Sequence, residues 1–175
     1  MRYVKGTLNF GVMFCANQNC VLQGYSDSDY GGSDDMKSTS GYCFNIGSGV
    51  FTWCSKKQDI VAQSTAEAEF IVAIAAANQA LWLRKMLINL NLKQEGSTEV
   101  FVDNQAAIAI SNNPVFHGKT KHFNIKLFFL RDVQNGGSIK LKYCRTDYQL
   151  ADIFTKALPT SKFEFLREKL GVCNN

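Results

Sequence analysis

Residues 24–32 read GYSDSDYGG, and two aspartates, Asp27 and Asp29, close a run of strand-forming residues there. Alternation along a strand puts Asp27 and Asp29 on one face and Ser28 on the other. Like charges so close repel, so either both lie in solvent or a cation holds one of them. Glycines follow directly, at positions 31 and 32, where the chain must leave the strand. The remaining sequence decides between the two readings.

Working outward, CVLQGYSD (20–27), YCFNIG (42–47) and VFTWCS (50–55) read as three successive antiparallel strands, the last two flanking a Ser-Gly hairpin turn. An earlier β-rich run, FGVMFCA (10–16), is separated from the first of these by the turn-like NQN. From Ser64 the period changes. Residues 64–90 are rich in Ala, Leu, Met and Glu without Gly or Pro, which predicts one long helix. TEVFVD (98–103) predicts a strand, and NQAAIAISNN (104–113) a short helix stopped by Pro114. KHFNIKLFFLRDVQN (121–135) reads as a helix and SIKLKYC (138–144) as a strand. TDYQLADIFTKAL (146–158) reads as helical up to Pro159, and SKFEFLREKL (161–170) as a last amphipathic segment. Three antiparallel strands followed by alternating helices and strands give one α/β domain with a mixed sheet.

The 175 residues suffice for one domain with a substantial core, and 46% hydrophobic with 19% charged residues describes an ordinary globular chain. The longest apolar-rich stretch, 70–92, carries Asn78, Gln79, Arg84 and Lys85, so no membrane span is expected. MRYVKGTLNF lacks the layout of a signal peptide, which predicts an intracellular protein with no membrane partner. The six cysteines include no C-x-x-C pair and sit mostly in apolar runs, so they read as small core residues without disulfide partners. A net charge of +4 permits a polyanionic partner without requiring one.

Spacing separates the two glutamates of the long helix. Ser64-Thr65-Ala66-Glu67 is a capping box, which accounts for Glu67. Glu69 instead heads a stripe of Ala73, Ala76, Ala80, Leu83 and Leu87, where a lone carboxylate is costly unless paired or metal-bound. A Lys or Arg partner would explain it equally well. Asp103 ends a strand and reads as an N-cap; Asp152 lies inside a helix that Thr146 and Gln149 cap as a second box. Taken together, however, Asp27, Glu69, Asp103 and Asp152 fall at strand ends and helix starts. In open α/β sheets that is the ligand-binding edge, and oxygen-only donors suit Mg²⁺ or Mn²⁺.

The order strand-Asp, helix-Glu, strand-Asp, helix-Asp resembles the ribonuclease H fold. The wording of five blocks resembles the ribonuclease H domain of copia-type LTR-retrotransposon Pol polyproteins: GYSDSDYGG, KSTSGYCFNIGSGVFTWCSKKQ (37–58), STAEAEFIVA (64–73), FVDNQAAIAISNNPVFHGKTKHFNI (101–125) and CRTDYQLADIFTKALP (144–159). The resemblance implies a five-stranded mixed sheet, three antiparallel strands first, flanked by helices. It implies a remnant of the reverse transcriptase connection region over residues 1–19 and a ribonuclease H domain over 20–175. It implies catalytic, metal-holding acids at Asp27, Glu69, Asp103 and Asp152, with two Mg²⁺ or Mn²⁺ ions. Its implied partners are an RNA/DNA hybrid and the reverse transcriptase region of the same polyprotein, in a cytoplasmic virus-like particle or the nucleus.

Candidate contacts to the nucleic-acid backbone are Lys37, Ser38, Thr39, Lys56, Lys57, Asn104, Gln105, Lys119, Lys121 and His122. For each lysine a solvated surface position explains the residue as well. Tyr30 and Phe70 depart from the family's usual Trp and Tyr, and Asn124, Leu127 and Phe128 from its Asp, Tyr and His; the last three suggest relaxed constraint on that helix and do not touch the four acids. Two rival expectations remain: an inert module that only binds hybrid or polymerase, and a DNA-acting nuclease or recombinase of the same superfold.

Overall fold

The computed structural model describes residues 5–15, 20–31, 35–112 and 121–174, and for 121–123 the backbone alone. Seven strands are described: β1 (Phe10–Val12), β2 (Leu22–Asp29), β3 (Thr39–Ile46), β4 (Gly49–Lys57), β5 (Thr98–Val102), β6 (Ile139–Tyr143) and β7 (Val172–Asn174). The helices are α1 (Thr65–Asn89), α2 (Gln105–Asn112), α3 (Lys121–Asn135) and α4 (Thr160–Lys169). Five strands form the main sheet in the order β4-β3-β2-β5-β6. β2, β3 and β4 are antiparallel neighbours, while β5 runs parallel to both β2 and β6.

Sequence patterning explains the layers. On β3, Phe44 faces one side and Cys43 the other. The first face packs Leu22, Phe44, Val100, Val102, Ile139 and Leu141 against the α1 stripe Ala73, Ala76, Ala80, Leu83 and Leu87, all buried as the helical spacing predicts. By length and composition α1 could cross a membrane, but this stripe lies against the sheet. The small residues let helix and strands approach closely. Gly24 serves the same end, since a Cβ there would lie 2.6 Å from the Phe44 ring.

The second face is covered by Leu150, Leu166 and Leu170, with Ile153 and Phe154 packed alongside. Here the structure departs from the sequence reading. Residues 146–158 form no α-helix; two 3₁₀ turns, Thr146–Tyr148 and Leu150–Phe154, take their place. Gln149 explains the break, for its side chain turns inward: its amide N–H groups donate to backbone carbonyls of β2 and β5, while its Oε1 caps only the short second 3₁₀ turn. Gly41 lets this segment reach the sheet, because a Cβ there would meet the Thr155 methyl at 2.6 Å.

Two more differences lie at the edges. β1 stays off the main sheet and pairs antiparallel with β7, a strand the sequence did not signal. The Met13 N–H donates to the Gly171 carbonyl at 2.8 Å, tying this ribbon to the turn after α4. Of the cysteines only Cys43 is buried, and Cys15 and Cys20 are exposed, so the expectation of core cysteines fails at those two.

Candidate active site

β2 and β5 run parallel and end at the same sheet edge, which carries Asp27 and Asp103 to one place. The N-terminus of α1 arrives from the packed face with Glu69. One carboxylate oxygen from each of Asp27, Glu69 and Asp103 lies within 4.8 Å of the others. Asp27 and Glu69 are only 4% and 5% exposed, which makes the crowding expensive without a counter-charge.

Local hydrogen bonds aim each acid. The Ser28 N–H donates to Glu69 Oε1 at 2.8 Å, leaving Oε2 buried with no hydrogen-bond partner. The Thr155 hydroxyl donates to Asp27 Oδ2 at 2.6 Å. Buried Gln58 pins α1 to the strands, donating to the Ser40 hydroxyl at 2.9 Å and the Ala68 carbonyl at 3.0 Å. Asp103 is no helix cap. The side chain of Asn104 takes that role, accepting from the Ala107 N–H at 3.0 Å, so Asp103 stays directed to the other acids.

Burial first, then the charges of Asp27 and Asp103, push the Glu69 carboxyl up to about 9. Burial also lifts Asp27 to about 6; the Thr155 hydrogen bond opposes this, and Asp152 and Asp103 add to it. These are acids held close against their own repulsion. Three converging carboxylates, one of them with a buried orphan oxygen, fit a hard divalent cation such as Mg²⁺ or Mn²⁺.

Asp152 differs from the other three acids. Its side chain is fully buried, with Lys156 Nζ 2.6 Å from Oδ1 and Lys162 Nζ 2.5 Å from Oδ2. Burial pushes its pKa up, but the two ammonium groups outweigh this and hold it low. Asp152 is near enough for its charge to act on Asp27, yet it lies outside the three-acid cluster. The sequence reading missed Lys156, although its i,i+4 spacing from Asp152 was visible. Thr155, Lys162 and Gln58 carried no such signal, since their partners are far along the chain or depend on the 3₁₀ turns, and Gln149 was signalled only as a cap.

The candidate backbone contacts divide in three. Thr39 pairs with Lys57 and Ser40 with Lys56, so the ends of β3 and β4 bring Lys37, Thr39, Lys56 and Lys57 to the edge that carries Asp29. Lys57 is bonded to Asp35 at 2.7 Å and Lys56 lies 3.5 Å from Asp59, so both would exchange acids for phosphates. Ser38 is wholly buried, Asn104 is half-buried with its Oδ1 taken by the cap, and Gln105 is exposed beside Asp103. Lys119 and the side chains of Lys121 and His122 lie outside the described residues.

Two substitutions test the choice of acids. Glu67 is itself buried like Glu69, but its Oε2 accepts from the Gln63 N–H at 2.9 Å while Ser64 caps the Glu67 N–H. Glutamine can accept the same bond, so Glu67→Gln should retain divalent-cation binding in a titration and lose at most about 1 kcal/mol on denaturation. Asp29 lies two residues past Asp27 on the same strand face, about 6.6 Å further along. Asp29→Asn should therefore leave cation affinity within a few-fold of the unchanged protein; a loss equal to that of Asp27→Asn would mean that both acids bind.

No family model matches the chain. Among curated proteins, the retrovirus-related Pol polyprotein from transposon TNT 1-94 of Nicotiana tabacum is 36% identical over 176 residues, covering 100% of this chain and 13% of the polyprotein. The chain thus spans a small part of the relatives it matches. Among solved structures, the RNase H1 of Halobacterium salinarum NRC-1 superposes with a TM-score of 0.55 at 14% identity, over 77% of this chain and 93% of that one. LC11-RNase H1, solved in complex with an RNA/DNA hybrid, superposes with a TM-score of 0.52 at 14% identity over the same shares. The mixed five-stranded sheet with its flanking helices is therefore the ribonuclease H fold. The chain thus matches copia-type retrotransposon Pol polyproteins along its whole length, and its architecture matches that of ribonuclease H domains.

Proposed function

We propose that the chain is a divalent-cation-dependent endonuclease that hydrolyses the RNA strand of RNA/DNA hybrids during retrotransposon reverse transcription. The observation that carries this reading is the convergence of Asp27, Glu69 and Asp103 with Glu69 Oε2 left unpartnered. The hybrid bound to LC11-RNase H1, a protein of the same fold, supports the substrate class.

Bound Mg²⁺ or Mn²⁺ would supply an activated water and charge for the leaving 3′-oxygen. The chain's own residues hold and aim. Ser28 fixes one oxygen of Glu69, and Thr155 fixes one oxygen of Asp27. Lys37, Thr39, Lys56 and Lys57 line the edge along which a phosphate backbone would run. RNA would be distinguished from DNA by its 2′-hydroxyl and A-like shape, with little reading of bases. The three acids suit one ion; Asp152 would have to exchange Lys156 to help hold a second. On this reading residues 1–19 continue a reverse transcriptase region that is the domain's partner, and the setting is the cytoplasmic virus-like particle or the nucleus.

One observation favours the second reading, an inert hybrid-binding module: Asp152 is paired with two lysines in place of joining the cluster. Incubating the chain with labelled hybrid, duplex DNA and duplex RNA, in Mg²⁺ and in EDTA, separates these. The expected result is Mg²⁺-dependent cutting of hybrid RNA alone, leaving 5′-phosphate and 3′-hydroxyl ends. Hybrid bound but uncut points to the inert module, and cutting of duplex DNA to a recombinase-like enzyme.

A further inference from the structure

β2 and β5 must do two things that conflict. They have to pair in order to bring Asp27 and Asp103 to one edge, and they have to part to leave room for what lies between the acids. The parallel ladder shows where they part. It joins Gln23 to Glu99, Gly24 to Val100 and Tyr25 to Phe101, and then stops, although β2 stays paired with β3 to Asp29 and β5 with β6 to Val102. The Tyr25 and Phe101 rings stack across that last rung, 4.9 Å between centroids.

Past the rung, the wholly buried Gln149 side chain enters the split. Its Nε2 donates to the Ser26 carbonyl at 2.9 Å and to the Phe101 carbonyl at 3.2 Å. Its Oε1 accepts from the Ala151 N–H at 3.2 Å, and the Gln149 carbonyl accepts from the Asp152 N–H at 3.2 Å. One side chain thus bridges the residue before Asp27, the residue two before Asp103, and the turn that holds Asp152 and Thr155.

We propose that Gln149 is a positioning residue: its amide replaces the ladder bonds that β2 and β5 give up and so sets the spacing of Asp27 and Asp103. This rests on the catalytic reading above for its purpose, not for its geometry. Only a primary amide meets the demand, because the site offers two carbonyl acceptors and one N–H donor. A glutamate would set an acceptor against two carbonyls and add an anion beside three acids. A methionine keeps the length but donates to neither strand.

Gln149→Met therefore tests the inference, read by titration with Mn²⁺ and by hybrid cleavage. Groups that orient metal ligands cost about 10–100-fold in affinity or activity when lost. Mn²⁺ affinity should fall at least tenfold and kcat by a similar factor, while KM for hybrid stays within about twofold, because Gln149 touches no substrate. A folded variant with unchanged Mn²⁺ affinity overturns the proposal. In the unchanged protein, the Gln149 side-chain NH₂ should exchange slowly with solvent and shift on adding Mg²⁺. Exchange at the rate of a free amide overturns it even if the variant fails to fold. If the unchanged protein cuts no hybrid, the catalytic reading fails, while the Mn²⁺ and exchange measurements still judge the clamp.

Discussion

Glu69→Gln should eliminate Mg²⁺-dependent hybrid cleavage and at the same time make the cation-free protein more stable. The loss follows from the charge that glutamine cannot supply and from the unpartnered Oε2, which it would replace with either a neutral oxygen or an N–H group. The gain follows from linkage. Glu69 has its carboxyl raised from 4.5 to about 9, chiefly by burial and then by Asp27 and Asp103. Between those two pH values the folded protein keeps a proton that the unfolded chain has released, so stability falls as pH rises through that window. From 4.5 to pH 7 is about 2.5 pH units at about 1.4 kcal/mol each, or about 3.5 kcal/mol. Glutamine cannot ionise, and it still accepts the Ser28 N–H. Thermal unfolding from pH 5 to pH 9 in EDTA should show a falling curve for the unchanged protein and a flatter, higher one for the variant. Mg²⁺ should stabilise the first and not the second. A Glu69→Gln protein that cleaves at full rate would remove Glu69 from the site.

The site was legible in proportion to how local its causes are. Asp27 and Glu69 could be read because each interrupts a short-range pattern, the strand alternation in one case and the apolar helix stripe in the other. The mixed sheet followed from the same periodicities, with the glycines and Pro114 as punctuation, while its count of five strands came from the family resemblance. Asp103 was ambiguous because two neighbours, Asp103 and Asn104, can each cap a helix; only the bond from the Ala107 N–H assigns the cap. Residues 146–158 misled for a physical reason. Their composition favours helix, but burying Gln149 against Ser26, 123 positions away, yields more than regular helical bonding there. No local pattern reports a partner at that distance. The pairing of β1 with β7 was hidden likewise, joining two three-residue strands from opposite ends of the sequence.

Asp152→Asn should do the opposite of Glu69→Gln and cost stability. Its carboxylate is buried between Lys156 and Lys162, whose side chains are 40% and 26% exposed. Removing one member of a buried ion pair costs about 3–5 kcal/mol, and the partial exposure of both lysines lowers the expectation to about 2 kcal/mol. The pH dependence reverses as well. Although burial pushes its pKa up, the lysines hold Asp152 below its ordinary value, so its contribution is present above the unfolded pKa and lost as pH falls. The unchanged protein should lose this contribution in acid, and the variant should have none to lose. For a chain of 175 residues, 2 kcal/mol corresponds to about 4–8 °C in the melting temperature at pH 7. Asp27→Asn, by contrast, relieves an acid raised by burial and by the Asp152 charge, and should hold or raise the melting point. The two aspartates would then separate by sign in one experiment, although an equal share in cation binding would make them alike. If Asp152→Asn instead raised the melting point and weakened Mn²⁺ binding as much as Asp27→Asn, Asp152 would be a fourth ligand. Its pairing with Lys156 and Lys162 would then not be the arrangement it keeps in solution.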